Sequence, residues 1–416
     1  MNIRNPWPLR SFLFVPAHRA ELVPKALRVQ PDAVVLDLED SVPPNHKAAA
    51  RAALSSEIAA LTAAGVAAFV RVHAWSDTTR EDVAAAVCAG LVGIMLPKTD
   101  SVDEVRGLHD LLSYHEGRAG LPHQSIAILA LPETAEGLQR AESLARASPR
   151  VKGIVGTVSG PTGADVARAF GFRPSIGGLE QLYMQSKLVL DSRAGGAPYP
   201  IGGVFGLPMD DLAAVETLLR RARDLGFTGS PVMHPSHVAI ANAVYSPTAE
   251  EAAYARGLLE AFAQAEAAGL GAVRYQGAMI DYAMLPHARE VVAEFAKHSV
   301  EEQAAQAAHE PHLQAVPEIR LDLGEDLLGL RHVVGLPGAH RLIQLDRLLG
   351  HQQGRLGGAV LGAACGRGPF LGRGLLILLN ADGAGDGVAG KLLVHPQVDR
   401  PMLQRLEAAD RLAELL

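Results

Sequence analysis

The chain has 416 residues, of which 48% are hydrophobic and 20% are charged. This length and composition provide ample apolar material for a folded core, which excludes intrinsic disorder over most of the chain. The formal net charge of −7 argues against a protein that binds nucleic acid through a generally basic surface.

The first apolar run, Phe12–Val15, follows two arginines and is bounded by Pro16. It is too short for the hydrophobic region of a signal peptide, so we interpret it as a first β-strand. The only cysteines, Cys88 and Cys365, lie far apart, which excludes a disulfide framework and favours a reducing compartment. The sequence contains no run of about 18 apolar residues, so we expect no transmembrane helix. We therefore expect a cytoplasmic protein with no membrane partner and no nucleic-acid partner.

Short apolar runs recur along the chain and lack strict alternation, as parallel strands buried on both faces do. After Phe12–Val15 they are Ala33–Leu38, Ala67–Val72, Val92–Leu96, Ile126–Leu131, Gly153–Gly156, Ile201–Phe205 and Ser230–Met233. Segments with helical spacing separate most of them, such as Lys47–Ala64, Ser101–Tyr114, Thr134–Ala147 and Asp211–Leu225. Eight strand–helix units predict an α/β fold, a (β/α)8 TIM barrel over residues 1–246. The alternative is a doubly wound open sheet, which a glycine-rich phosphate loop after the first strand would favour, and the sequence has no such loop.

Residues 247–298 predict a C-terminal helical arm. Thr248 is a helix cap with Glu251 three residues on, and a last helix is expected from about His287 to Lys297. Residues 299–416 differ in composition, since Phe370 is the only aromatic residue after position 300. A strand over Leu375–Leu379 and a helix over Gln397–Leu416 are conceivable. The segment favours a poorly ordered or atypical extension of unknown role, or an accidental extension of the reading frame, over a genuine small domain.

Polar residues follow the predicted strands at the end where a TIM barrel carries its chemistry. They are Asp37, Glu39 and Asp40 after strand 2, Arg71 and His73 at strand 3, Lys98 after strand 4, Glu133 after strand 5, Asp165 in the loop after strand 6, and His234 after strand 8. A single carboxylate at a strand end is more often a helix cap or an ion-pair partner. The joint pattern favours an active site at this end of the barrel.

The types of these residues indicate one chemistry. Glu133 and Asp165 offer the hard oxygen ligands that Mg²⁺ prefers, and Mg²⁺ usually takes only one or two protein carboxylates. Arg71 offers a planar partner for a substrate carboxylate. A metal ion and an arginine together would polarise a 2-oxo acid and stabilise an enolate, as a metal-dependent C–C lyase or aldolase requires. The pair His234 and His237 is a weak signal for zinc.

An ordered series of motifs resembles one known family. The motifs are Arg10-Ser11-Phe12-Leu13-Phe14-Val15-Pro16, Val35-Leu36-Asp37-Leu38-Glu39-Asp40-Ser41-Val42 with Lys47 and Arg51 downstream, Arg71, Leu96-Pro97-Lys98, Glu133-Thr134-Ala135-Glu136-Gly137, Met233-His234-Pro235, and Gln276-Gly277-Ala278-Met279-Ile280-Asp281. The series resembles the citrate lyase beta-subunit-like family of the HpcH/HpaI aldolase group, over about residues 9–297.

The resemblance implies a TIM barrel that cleaves, or forms in reverse, 3-hydroxyacyl-CoA thioesters such as malyl-, citramalyl- or citryl-CoA. It implies Mg²⁺ on Glu133 and Asp165, and an acyl-CoA and a 2-oxo acid as products. Arg71 would bind the oxo acid, with Lys98 and His234 as further substrate-binding residues. Asp281 matches an acid/base aspartate that reaches into a neighbouring subunit's site, in a trimer or a multiple of it. Sequence alone gives Asp281 a second interpretation, as a helix cap.

Four residues of the series are expected to position the groups of the site rather than to bind the substrate or the metal ion themselves. The resemblance implies that Lys47 and Arg51 buttress the acidic motif after strand 2. Glu39 and Asp40 would order metal-bound water.

The sequence departs from the family pattern at several positions. His73 replaces the asparagine of the usual Arg-x-Asn, His237 replaces the glutamine of His-Pro-x-Gln, and Gly202-Gly203 stands where an aspartate is common. The loop before Asp165 also differs. The acyl group and the oxo acid therefore stay open. Two alternative functions stay open as well: a citrate lyase beta subunit acting on an acyl-carrier-protein thioester in a complex, and a catalytically silent paralogue with a binding role.

Overall fold

A computed structural model describes residues 6–159, 165–205 and 208–298, and four short strands between residues 319 and 393. The chain divides into two compact units, residues 1–295 and 296–416. No helix within the described ranges is long and apolar enough to cross a membrane.

The first unit is built around eight parallel strands. They are β1 (Ser11–Pro16), β2 (Ala33–Asp37), β3 (Ala67–Arg71), β4 (Leu91–Pro97), β5 (Ala127–Leu131), β6 (Val151–Ser159), β7 (Ile201–Phe205) and β8 (Ser230–Val232). Their order in the sheet is β7-β6-β5-β4-β3-β2-β1-β8. A parallel bridge between Ile201 and Gly229 joins the two ends of this sheet. The predicted barrel is therefore confirmed, and the open doubly wound sheet is wrong.

Helices follow the strands along the chain, as the predicted strand–helix alternation requires. They are α1 (Val23–Leu27), α2 (Lys47–Ala63), α3 (Asp77–Ala86), α4 (Val102–Ala119), α5 (Ala135–Gln139), α6 (Ala141–Arg146), α7 (Asp165–Phe170), α8 (Leu182–Ala194), α9 (Leu212–Leu225), α10 (Val238–Tyr245), α11 (Ala249–Ala267) and α12 (residues 285–298). The single helix predicted over Thr134–Ala147 is two helices, α5 and α6, separated by Arg140, whose backbone angles are not helical.

The strands bury both faces, which explains why their sequences lack alternation. Within β2, Val35 packs inside the barrel with Phe12 and Phe69, whereas its neighbours Val34 and Leu36 belong to the larger cluster that includes helix residues. Trp7 belongs to the interior cluster and stacks on Tyr199, with ring centroids 5.1 Å apart. The barrel interior is thus a packed core.

The arm consists of α11, a hairpin and α12. A capping box of Thr248 and Glu251 begins α11, as predicted. Two antiparallel strands, β9 (Ala272–Tyr275) and β10 (Ala278–Asp281), follow it, and Gln276 and Gly277 turn between them with φ of +46° and +90°. Phe262 of α11 and Ile280 of β10 share a small core with Leu285 of α12, so the hairpin is fixed to both helices.

The described residues of the second unit form four antiparallel strands. They are β11 (Ile319–Leu321), β12 (Ala359–Val360), β13 (Leu376–Leu379) and β14 (Gly390–Leu393), in the order β11-β14-β13-β12. The strand β13 lies within Leu375–Leu379, the stretch in which the sequence suggests a strand. The helix considered over Gln397–Leu416 lies outside the described residues.

Candidate active site

A buried ion pair joins the ends of two neighbouring strands. Asp37 ends β2 and Arg71 ends β3, and the two residues are partners in the strand register. Arg71 donates from Nε to Asp37 Oδ1 at 2.6 Å and from Nη2 to Oδ2 at 2.8 Å. Burial alone would raise the pKa of Asp37, but hydrogen bonds and charge from Arg71 outweigh it and hold that pKa below its ordinary value. Two donors of the guanidinium are therefore committed to the protein.

A second carboxylate, Glu39, lies beside this pair. Its Oε2 is 3.2 Å from Arg71 Nη1, and its Oε1 accepts a hydrogen bond of 2.7 Å from Lys98 Nζ. The Lys98 ammonium is also 3.5 Å from Asp40. Glu39 is only 5% exposed, and this burial raises its pKa in spite of both cations. The predicted residues Glu39, Asp40, Arg71 and Lys98 are thus in one cluster.

Glu133 joins the same cluster through the backbone of Lys98. The Lys98 N–H donates to Glu133 Oε2 at 3.2 Å, and Lys98 has a φ of +50°, which is unusual for a residue with a side chain. Burial, with the nearby charge of Glu39, raises the pKa of Glu133 to about 7, although Arg71 and Lys98 oppose the rise. Backbone strain of this kind concentrates at functional sites.

The turn after Glu133 explains the rest of its motif. Thr134 caps helix α5, because its Oγ1 accepts a hydrogen bond of 3.0 Å from the Gly137 N–H. A Cβ atom at Gly137 would lie 2.4 Å from the carbonyl oxygen of Thr99, so a larger residue does not fit there. The short helix and this glycine therefore hold Glu133 close to the end of β4.

Lys47 and Arg51 do not share one role. The Lys47 ammonium donates to the carbonyl oxygen of Leu38 at 2.6 Å and also to that of Glu39, so it contacts the acidic motif through its backbone. Arg51 instead pairs with two residues of α3. Its Nε is 2.7 Å from Asp82 and its Nη1 is 3.1 Å from Glu81. The predicted support of the strand-2 motif by Arg51 has no counterpart in these contacts.

Three other predicted residues make their hydrogen bonds away from the cluster. Asp165 begins α7 and pairs with Arg168 at 3.0 Å. His234 lies two residues after the end of β8, with its Nδ1 2.7 Å from Ser236 Oγ. Asp281 caps the 3-10 turn at residues 282–284 by accepting a hydrogen bond of 2.9 Å from the Ala283 N–H. The helix-cap interpretation of Asp281 therefore describes its contacts within its own chain.

Two of the departures from the family pattern also have defined contacts. His237 is buried, and its Nε2 donates to the carbonyl oxygen of Met209 at 3.0 Å. Gly202 packs against the ring of Phe227, where an added Cβ would lie 2.9 Å from the nearest ring carbon. An aspartate at position 202 does not fit this packing, so the glycine follows from the local structure.

The cluster has the donor set of a magnesium site. Within the described ranges, no three His, Cys, Asp or Glu side chains lie close enough together to hold a metal ion. Mg²⁺ needs fewer protein ligands, because it keeps several waters. Glu133 is a partly buried carboxylate, and its raised pKa is consistent with a negative charge that the neighbouring cations compensate only in part. A divalent cation would complete that compensation, so the residues present fit this ion.

We expect Lys98→Ala to make Mg²⁺ binding more sensitive to protons. The Lys98 charge lowers the pKa of Glu133, so its loss raises that pKa further above 7. Because a metal ion binds the carboxylate and competes with the proton, the midpoint of Mg²⁺ binding against pH should move up by about one pH unit. Calorimetric titration between pH 6 and 9 would measure this. The control Lys152→Ala, whose ammonium bonds the carbonyl of Pro149, should leave the midpoint unchanged.

Comparison with known proteins places the chain in a family. Residues 10–235 match the family model of the HpcH/HpaI aldolase/citrate lyase group. The chain belongs to this family. The matched residues contain all eight strands and the cluster of Asp37, Glu39, Arg71, Lys98 and Glu133, so the family assignment and the site concern the same part of the chain.

Individual relatives are similar over about two thirds of the chain. The Deinococcus radiodurans citrate lyase subunit beta-like protein is 34% identical over 289 residues, which are 68% of this chain and 96% of the relative. The human mitochondrial citramalyl-CoA lyase is 29% identical over 300 residues, 68% of this chain and 85% of the relative. A crystal structure of the Mycobacterium tuberculosis protein CitE with magnesium, acetoacetate and coenzyme A is similar, with a TM-score of 0.52, 26% identity, and coverage of 69% of this chain and 97% of the other. The predicted family membership is confirmed.

Proposed function

We propose that this protein is a Mg²⁺-dependent carbon–carbon lyase that cleaves, or forms, a 3-hydroxyacyl-CoA thioester such as malyl-, citramalyl- or citryl-CoA. The products of cleavage are an acyl-CoA and a 2-oxo acid. One observation carries the proposal: the partly buried Glu133 carboxylate, with its pKa raised to about 7, lies beside Arg71 and Lys98 at the carboxyl end of the barrel strands. The similarity to a citramalyl-CoA lyase and to a protein crystallised with magnesium and coenzyme A supports it.

Glu133 would hold the metal ion, and Asp165 would be the second ligand once it leaves its ion pair with Arg168. Mg²⁺ supplies Lewis acidity toward the oxygens of the 2-oxo acid when it is bound. The chain's own contribution at this position is a carboxylate that burial keeps poorly solvated and that the Lys98 backbone orients. Such a carboxylate binds a hard cation strongly, because little water competes with the cation for the carboxylate oxygens.

Arg71 would bind the substrate through its remaining donors. Asp37 takes Nε–H and one hydrogen of Nη2, so the two hydrogens of Nη1, which faces Glu39, and the second hydrogen of Nη2 are left to contact an oxo-acid carboxylate. The pair with Asp37 fixes the guanidinium before the substrate arrives, which lowers the entropic cost of binding. His234, whose Nδ1 is bonded to Ser236, presents its Nε2 as a further contact for the substrate.

Asp281 would act as acid or base in the site of a neighbouring subunit, within a trimer or a multiple of it. The arm that carries it supports this assembly, because Met279 and Tyr282 are 68% and 55% exposed on either side of Asp281. Exposed apolar side chains on one segment are typical of a protein contact. In this arrangement Asp281 protonates the carbon of the enolate that cleavage leaves on the thioester.

A panel of thioesters tests the function. The full chain is assayed with malyl-, citramalyl- and citryl-CoA, with and without Mg²⁺, and release of acetyl-CoA or its homologues is followed by chromatography. We expect Mg²⁺-dependent cleavage of at least one member. Activity only on an acyl-carrier-protein thioester, in the presence of partner subunits, would identify a citrate lyase beta subunit instead. Inactivity on every thioester, with activity on free hydroxy acids, would overturn the proposal in favour of a plain aldolase.

A further inference from the structure

His73 lies two residues beyond Arg71, at the carboxyl end of β3, and a buried carboxylate holds its ring. Its Nδ1 is 2.6 Å from Asp82 Oδ2, and its backbone N–H donates to the same oxygen at 2.9 Å. Asp82 belongs to α3 and its side chain is fully buried. The other oxygen of Asp82 accepts a hydrogen bond of 2.7 Å from Arg51 Nε. The imidazole is therefore tied to a carboxylate that is itself fixed.

This arrangement determines how the imidazole presents its second nitrogen. A hydrogen bond from Nδ1–H to Asp82 leaves the lone pair on Nε2, at the ring edge remote from that carboxylate. Nε2 receives no hydrogen bond from the residues that the structure describes, and the side chain is 23% exposed. A base whose tautomer and orientation are set by a third group is the arrangement used in general acid–base catalysis.

We propose that His73 is a further acid/base residue of this active site and that its Nε2 accepts the proton of the substrate's 3-hydroxyl group during cleavage. The O–H bond breaks as the proton moves to Nε2, and the oxygen's electron pair forms the carbonyl of the 2-oxo acid. The bond between C2 and C3 breaks, and its electron pair becomes the enolate of the acyl-CoA, which a separate acid then protonates. In synthesis His73 returns the proton to the new hydroxyl. This inference rests on the proposed lyase function.

The charges around His73 suit this role. Asp82 on α3 stabilises the imidazolium that forms when the proton is accepted. Arg51 on α2 fixes Asp82 and is partly balanced by Glu81. On β3 itself, the charge of Arg71 is compensated by Asp37. The imidazolium thus faces a carboxylate directly, and the nearest cations each have a partner.

The test is the pH profile of kcat for cleavage by His73→Gln, measured on the full chain with saturating Mg²⁺. Glutamine retains a polar side chain but has no titratable nitrogen, and it avoids asparagine, the residue that the family usually carries here. We expect kcat to fall about a hundredfold or more at neutral pH. The loss of rate on the acid side of the wild-type profile should disappear in the variant. His123→Gln, at an exposed histidine in the loop before β5, is the matched control and should keep the wild-type profile.

Asp82→Asn supplies a second variant in case His73→Gln folds poorly. The amide can still contact both His73 and Arg51, but the imidazolium loses its facing carboxylate. The acid side of the profile should therefore move to lower pH, together with a lower maximum rate. If both variants lose rate equally at every pH, or lose only thermal stability, His73 is structural and the inference is wrong. A wild-type protein inactive on all thioesters would instead overturn the lyase function itself.

Discussion

We expect Glu133→Gln to lower kcat/KM for thioester cleavage by about a thousandfold, because several kcal/mol of transition-state stabilisation depend on the metal ion that this carboxylate would hold. The same substitution should stabilise the metal-free protein at pH 8. Burial raises the pKa of Glu133 from 4.5 to about 7, so its contribution to stability is present below pH 4.5 and is lost as the pH rises through 7. At pH 8 the wild type holds an unfavourable buried charge that glutamine lacks, worth at most about 3 kcal/mol.

Thermal unfolding with and without Mg²⁺ measures the second effect. The wild type should gain stability on adding Mg²⁺, whereas Glu133→Gln should gain little. Glu136→Gln is a matched control, since Glu136 lies in the same motif but is exposed and pairs with Arg140. Unchanged activity in Glu133→Gln would contradict the assignment of this residue as a metal ligand.

Arg71→Lys should impair both activity and stability. Lysine keeps the charge but cannot donate two parallel hydrogen bonds to Asp37, so kcat/KM should fall about a hundredfold. Arg71→Ala should destabilise the protein by about 3 to 5 kcal/mol, because it leaves the buried Asp37 carboxylate without a partner. The pair holds the pKa of Asp37 below its ordinary value of 3.8. Its stabilising contribution is therefore present above pH 3.8 and is lost as the pH falls through the lowered pKa.

A second bidentate pair in the same barrel provides the control. Arg10 donates to Asp32 from Nη2 at 2.7 Å and from Nε at 2.9 Å, in segments that precede β1 and β2 at the other end of the strands. Arg10→Lys should therefore lower stability without lowering kcat/KM. Denaturant unfolding and steady-state kinetics on the two lysine variants separate the two effects. Equal kinetic losses in both would show that Arg71 acts only through the fold.

Much of the barrel could be predicted because buried parallel strands leave a strong local signal. Runs such as Ala33–Leu38 are short, apolar and followed by charged residues, and parallel strands bring those residues to one end. The cluster of Glu39, Arg71, Lys98 and Glu133 follows from that geometry alone. The role of Asp37 does not, because its pairing with Arg71 depends on the register between β2 and β3.

Other features depend on contacts that no local pattern encodes. Arg51 reaches Asp82 on helix α3, which the apolar spacing did not reveal, so its partner could not be inferred. The hairpin β9–β10 was missed as well, since its strands are short and lie in an otherwise helical arm. The Gln276-Gly277 dipeptide between two short apolar stretches was the signal available for it.

The packed interior of the barrel determines how molecules can reach the site. Trp7 stacks on Tyr199 and contacts the core aromatic residues Phe12 and Phe69, so aromatic side chains fill the barrel interior among the described residues. Substrate and both products must therefore share one entrance, at the carboxyl ends of the strands. Under the proposed function, the oxo acid occupies the deeper position, beside Arg71, and the thioester covers it. Turnover is then ordered: the acyl-CoA departs first in cleavage, and the oxo acid binds first in synthesis.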